Sequence, residues 1–170
     1  AEDWYWATES RLDLDWTPVP SPDGDIPILI LPSGPADELE TANLMFVHAI
    51  NSARERIWIA SPYFVPDRPV VTALQLAGLR GVDVRILIPD KADHLGVWLA
   101  AYSYLDESAS TGVDFYRYQD GFLHQKVVLI DDVVATVGTA NFDNRSFRLN
   151  FEITALVVDG EFAGEVERML

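Results

Sequence analysis

Two short aliphatic runs, Val127–Ile130 and Val133–Val137, are separated only by Asp131-Asp132, and no other stretch constrains the fold as strongly. β-Branched runs on either side of a two-residue acidic turn are a hairpin signal, weakened here because no Gly follows the Asp. With Asp131 and Asp132 as the turn, Ile130 faces Val133, Lys126 faces Val137 and His124 faces Thr139. Asn141 then lies one diagonal step from His124 on the same face. Period-two alternation puts His124 and Lys126 on one side of the sheet, while Asp131 has the opposite parity and sits at the turn. His124, Lys126, Thr139 and Asn141 thus read as a polar site, and Asp131 as a structural residue. The plain alternative is an amphipathic hairpin whose polar residues face water.

Alternating patterns surround this hairpin. A strand is expected at Pro27–Leu31 and a helix from about Asp37 to Arg54, with Leu39, Ala42, Phe46, Ala49 and Ile50 at helical spacing. A strand at Ile57–Ala60 precedes a helix at Pro69–Leu79, closed by Arg80-Gly81. A strand at Val82–Ile88, a helix at about Leu95–Glu107 and a strand at Val113–Tyr118 follow, then the hairpin, a strand at Phe151–Val158 and a helix opening at Glu161. The expected class is α/β, a layered sheet of mixed strands flanked by helices. The first 25 residues differ. Glu2–Ser10 reads as the end of a helix, with Trp4, Tyr5 and Trp6 either packed on a neighbour or forming a membrane-interface belt. Pro18, Pro20, Pro22 and Gly24 mark an extended linker.

Bulk properties narrow the function. The 170 residues suffice for one domain, 49% hydrophobic and 23% charged. The absence of cysteine excludes disulfides, thiol nucleophiles and thiolate metal sites. No apolar run approaches the roughly 18 residues that suggest a membrane span. The chain starts at Ala1 with no signal peptide, as expected of an excised domain that is soluble alone. The net charge of −15 repels nucleic acid and anionic lipid alike, and weighs against a nucleic-acid enzyme most heavily. Affinity for phosphate must therefore come from a local cluster, for which His124, Lys126, Arg145 and Arg148 are the candidates.

The residue types at this site suit phosphoryl chemistry. An imidazole attacks phosphorus or protonates a leaving alkoxide. Lys126 would bind non-bridging oxygens as a compact cation, with Asn141 and Thr139 donating hydrogen bonds as charge builds on phosphorus. Arg145 either contacts phosphate or bridges Glu152 and Asp143 structurally, the latter being favoured. Tyr63 and Phe64 are weaker candidates for lining a pocket. His48 reads as an ordinary helix histidine. Asp90, Asp93 and His94 form a conceivable but disfavoured metal site, so no metal and no cofactor is expected.

The spacing His124-x-Lys126-x4-Asp131-x6-Gly138-x2-Asn141 resembles the phospholipase D superfamily motif without departure. Asn141-Phe-Asp-Asn-Arg-Ser-Phe-Arg-Leu-Asn-Phe-Glu152 is similar to the second motif of bacterial cardiolipin synthases, as are Pro32-Ser-Gly-Pro35, Ile50–Arg56, Ser61–Pro66 and Gly121–His124. The resemblance covers residues 27–170 and implies one of two pseudo-symmetric halves, preceded by a tail of the other half at 1–26. It implies a catalytic set of His124, Lys126, Asn141 and Glu152, with Glu152 as an orienting carboxylate and Asp131 and Gly138 as structural members. It implies a phosphatidyltransferase that joins two phosphatidylglycerols through a phosphohistidine, with His124 as acid/base. The partners implied are phosphatidylglycerol, the other half or a second copy, and a membrane held by regions outside this chain. The full-length protein would sit at the cytoplasmic membrane with this domain on the cytoplasmic side. A homodimeric phosphodiesterase or nuclease and an inactive fragment are the rival readings.

Overall fold

The strand Val127–Ile130 is buried along all four residues and lies inside a mixed sheet of seven strands. The computed structural model describes all residues except 1, 16, 18, 20, 23, 92–103 and 105–107. Its helices are α1 (Glu2–Thr8), α2 (Thr41–Ser52), α3 (Arg68–Leu79), α4 (Asn144–Arg148) and α5 (Gly160–Met169). Its strands are β1 (Ile28–Ser33), β2 (Arg56–Ala60), β3 (Phe64–Val65), β4 (Asp83–Pro89), β5 (Val113–Tyr118), β6 (Val127–Ile130), β7 (Val134–Gly138), β8 (Phe142–Asp143) and β9 (Glu152–Val158). The main sheet runs β1-β9-β7-β6-β2-β4-β5. β2, β4 and β5 are parallel, whereas β2, β6, β7, β9 and β1 are joined antiparallel. This is the mixed, helix-flanked α/β sheet that the alternation implied. The expected helix near 95–107 falls outside the described residues apart from Tyr104, as do Asp93, His94, Pro18 and Pro20. No helix among the described residues is long and apolar enough to cross a membrane.

Both faces of β6 are covered. Val128 and Ile130 pack with Ile57, Ile59 and Ile86 and with Phe46 of α2 and Leu74 of α3. Val127 and Leu129 pack on the other face with Ala135 and with Ala163 and Val166 of α5. A strand buried on both faces reads as a continuous aliphatic run, not as an alternation.

Local chemistry sets the element ends. α2 begins at Thr41, four residues after the expected Asp37. Asp37 instead accepts the Gly34 N–H at 3.0 Å and the Thr41 hydroxyl at 3.3 Å, and so holds the turn after β1. α3 ends as expected, with Gly81 at φ +86°. Trp4, Tyr5 and Trp6 of α1 are exposed, the last by 81%.

The hairpin register differs from expectation by one residue. Ile130 pairs with Val134 and Val127 with Val137, so Lys126 lies opposite Gly138, whose N–H donates to the Lys126 carbonyl. The loop holds three residues, Asp131 to Val133, not two. Asp131 is left-handed at φ 51°, a conformation that Asp tolerates better than most residues. The reason lies on β2. The Asp131 carboxylate accepts the backbone N–H groups of Arg54 (3.2 Å), Glu55 (2.8 Å) and Arg56 (3.1 Å). The Asp131 N–H donates back to the Arg56 carbonyl at 3.0 Å.

Burial would raise the Asp131 pKa, but the N–H groups of Glu55, Arg56 and Arg54 and the Arg54 charge outweigh it and hold the carboxyl below its ordinary value. A carboxylate depressed in the native state stabilises the fold fully above the unfolded value, about pH 4, and loses that contribution as the pH falls through the native value. Asp131→Asn is therefore expected to lower unfolding stability at pH 7 by about 1–3 kcal/mol. The gap from the native protein should narrow as the pH drops below about 4. Urea denaturation of both proteins at pH 7 and pH 3 checks this, and a gap that widens in acid contradicts it.

Candidate active site

His124 and Lys126 leave the sheet at the N-terminal end of β6, the end opposite Asp131. The lead into β6 has no regular secondary structure, with Leu123 buried and His124 exposed. The Lys126 ammonium donates to the His124 carbonyl at 2.7 Å. That bond fixes the lysine beside the histidine's backbone. Burial pushes the Lys126 pKa down, while the charges of Glu152 and Asp143 oppose the shift. Three segments thus converge on one ammonium: the lead into β6, the turn at Asn141–Asp143 and the start of β9.

The Asn141 turn is held from both sides. The Asn141 N–H donates to the Ser146 hydroxyl at 3.1 Å, and the Phe142 N–H donates to the Ser61 hydroxyl at 3.0 Å. Ser61 is fully buried and itself donates to the Tyr63 carbonyl at 2.7 Å. Asp143 caps α4 by accepting the Ser146 N–H at 2.7 Å. The short parallel pair β3–β8 sets Phe64 beside Phe142 and Val65 beside Asp143. The side-chain oxygen of Asn141 is buried and has no hydrogen-bond partner among the described residues. Leaving such an acceptor unpaired costs about 1–3 kcal/mol.

Several candidate residues take positions other than those expected. The register shift moves Thr139 away from the position opposite His124. Its hydroxyl accepts the Ile153 N–H at 2.9 Å and so serves the β7–β9 junction. Arg148, expected in the phosphate cluster, is paired with carboxylates. It pairs with Asp67 at 2.6 Å and with Glu40 at 3.0 Å, because Asp67 is buried and needs a counter-charge. Arg145 is exposed and donates to Asn150 at 3.3 Å, and Asn150 donates to Glu152 at 3.1 Å. The expected bridge from Arg145 to Glu152 therefore passes through an amide. Phe64 is core, stacked on Phe142 at 6.3 Å. Gly138 meets β9 closely: an added Cβ would lie 2.6 Å from the Ile153 carbonyl oxygen and 2.9 Å from Thr154 Cα. His48 is an exposed residue of α2. Asp90 faces Arg117 at 3.8 Å. Among the described residues no three His, Asp or Glu side chains gather as metal ligands.

Ser61 and Ser146 escaped the sequence reading. A partial signal for Ser146 was present, since Asp143 three residues earlier is a helix-capping spacing. Nothing in the sequence tied Ser61 to Phe142, because the contact joins residues 81 apart.

A family model described as "Cardiolipin synthase, PLD-like domain" matches residues 46–170. The chain belongs to this family. It is 57% identical over all 170 residues to cardiolipin synthase A of Pseudomonas putida (strain W619) and spans 35% of that protein's length. The fold is shared with Nuc, a phospholipase D family member from Salmonella typhimurium, at a TM-score of 0.71 and 23% identity, covering 85% of this chain and 91% of that one. NucT from Helicobacter pylori is similar too, at a TM-score of 0.67 and 22% identity, covering 85% and 93%. Glu152 and Asp143 are the two carboxylates whose charges raise the Lys126 pKa.

Those carboxylates make a titration test. The chain has two lysines, Lys91 and Lys126, so their side-chain NMR signals are readily told apart. Glu152→Gln removes a charge that raises the Lys126 pKa, so Lys126 should lose its proton at lower pH than in the parent, with Lys91 unmoved. An unchanged Lys126 titration would remove Glu152 from its surroundings.

Proposed function

We propose that this chain is the second-motif half of a cardiolipin synthase-like phosphatidyltransferase. The observation that carries the reading is the 57% identity to cardiolipin synthase A across every residue of the chain. Residues 27–170 form the half itself and 1–26 the tail of the other half. The substrate is phosphatidylglycerol, and the whole protein works at the cytoplasmic membrane with this domain on the cytoplasmic side.

In the first step a histidine of the other half attacks phosphorus. The nitrogen–phosphorus bond forms, the bond to the headgroup glycerol oxygen breaks, and His124 gives that oxygen a proton. In the second step the hydroxyl of another phosphatidylglycerol loses its proton to His124 and attacks the phosphohistidine. Cardiolipin forms and the first imidazole is regenerated. Lys126 neutralises the non-bridging oxygens, and Asn141 orients the phosphate or the attacking hydroxyl through its amide. Arg145 stands at the edge of the site as a further anion contact. Asp131 and Gly138 hold the hairpin and its junction to β9. The exposed location of His124 and the hydrogen bond from Lys126 to its carbonyl support this division of roles.

The test uses the intact two-motif protein and the isolated chain side by side, with cardiolipin and released glycerol measured from phosphatidylglycerol vesicles. His124→Ala should abolish transfer in the intact protein while its thermal midpoint stays unchanged. Lys126→Ala should raise the barrier by roughly 2–4 kcal/mol, the range for one lost electrostatic stabiliser. The isolated chain should fold and show negligible transfer. Robust turnover by a verified monomer, dependent on His124, would falsify the half-site reading. Turnover confined to a dimer would favour a homodimeric phosphodiesterase.

A further inference from the structure

Phe122 is 65% exposed, yet its ring lies along the His124 imidazole. The ring centroids are 5.6 Å apart and the planes are 16° from parallel. Single exposed apolar residues are common on protein surfaces, so exposure alone says little about Phe122. The backbone that builds the stack says more. Gly121 has φ +135°, a conformation that L side chains rarely adopt, although a Cβ there would meet nothing. The glycine therefore answers to chain direction and not to space. Leu123 is 4% exposed and pins the segment to the core. Its neighbours on either side, Phe122 and His124, are both exposed. Phe122 and His124 are thus delivered to solvent as a pair, in the offset-stacked range that aromatic rings favour.

His124 needs such support. It is exposed, and the Glu152 carboxylate, the expected orienting group, accepts a hydrogen bond from Asn150. An exposed imidazole free to rotate spreads its nitrogens over several directions, and general acid/base catalysis depends on one of them. We infer that Phe122 is a positioning residue for His124: its ring limits the rotation of the imidazole and supports it face-on when it carries a proton. Face-on contact with an aromatic ring suits a cation as well as a neutral ring. This rests on the acid/base role proposed for His124.

The experiment compares Phe122→Ala, Phe122→Tyr and His124→Ala in the intact two-motif protein, with kcat and KM measured on phosphatidylglycerol vesicles. Phe122→Ala should lower kcat about tenfold to a hundredfold, the scale of a misplaced catalytic group, with KM within about twofold. Phe122→Tyr keeps the flat ring and should restore most of kcat. The thermal midpoint and oligomeric state should not change, because the side chain is largely exposed. Phe122→Ala with unchanged kcat overturns the inference. So does a rise in KM alone, which would make Phe122 a lipid contact, and so does a loss of kcat that tracks a lost assembly. If His124→Ala retains turnover, the underlying site reading falls as well. If His124→Ala is inactive and Phe122→Ala is not, only the positioning role falls.

Discussion

The grip of the Asp131 carboxylate on three successive backbone N–H groups is the interaction on which the arrangement depends. It joins the turn of the β6–β7 hairpin to the entry of β2, where the antiparallel part of the sheet meets the parallel part. Arg56 adds a second bond, donating from Nε to the Asp131 carbonyl at 3.1 Å. The same guanidinium pairs with Asp132 and with Glu167 of α5, so turn, sheet and helix share one charged knot. Because β6 is only four residues long, fixing one end fixes the other. The place of His124 and Lys126 is decided at the far end of the strand.

A second constraint acts on the Asn141 turn. Its two amides are held by hydroxyls from different parts of the chain, Ser61 and Ser146. Neither hydroxyl is reachable by solvent, so each bond is made where an unpaired amide is costly. The pair β3–β8 and the aromatic cluster of Phe46, Phe64, Phe142 and Phe147 stiffen the same region. Arg148 closes the outer side on Asp67 and Glu40. The residues after Asn141 therefore act as a frame, and Lys126 is left as the cation nearest His124 in a chain of net charge −15. Under the proposed reading phosphate recognition is local, with no long-range field to assist it.

Much of this was legible in the residues, and the parts that were not share a cause. Alternation of strands and helices gave the layered sheet, and Arg80-Gly81 gave the end of α3 to the residue. The hairpin existed where expected, but its register was hidden. Both strands are nearly uniform aliphatic runs, so no polar alternation marks the faces, and the turn length rests on a carboxylate bonded to a strand some 75 residues away. The fate of Arg148 was hidden similarly, since the buried partner that claims it lies on another element. Glu152 was placed on the right strand. Local chemistry announces itself in sequence; long-range polar pairing does not.

The geometry also bears on why one half would be insufficient. Displacement at phosphorus with entering and leaving groups in line requires the attacking and protonating groups on opposite sides. His124 and Lys126 rise from one strand end, joined by a bond of 2.7 Å from ammonium to carbonyl, and so approach a phosphate from one side. Under the proposed reading the opposing group comes from another polypeptide segment, which closes on the side where the exposed Phe122 ring stacks on His124. An apolar ring at the edge of a polar site suits closure over a reaction that water would divert, because under that reading phosphohistidine hydrolysis competes directly with transfer to a lipid hydroxyl.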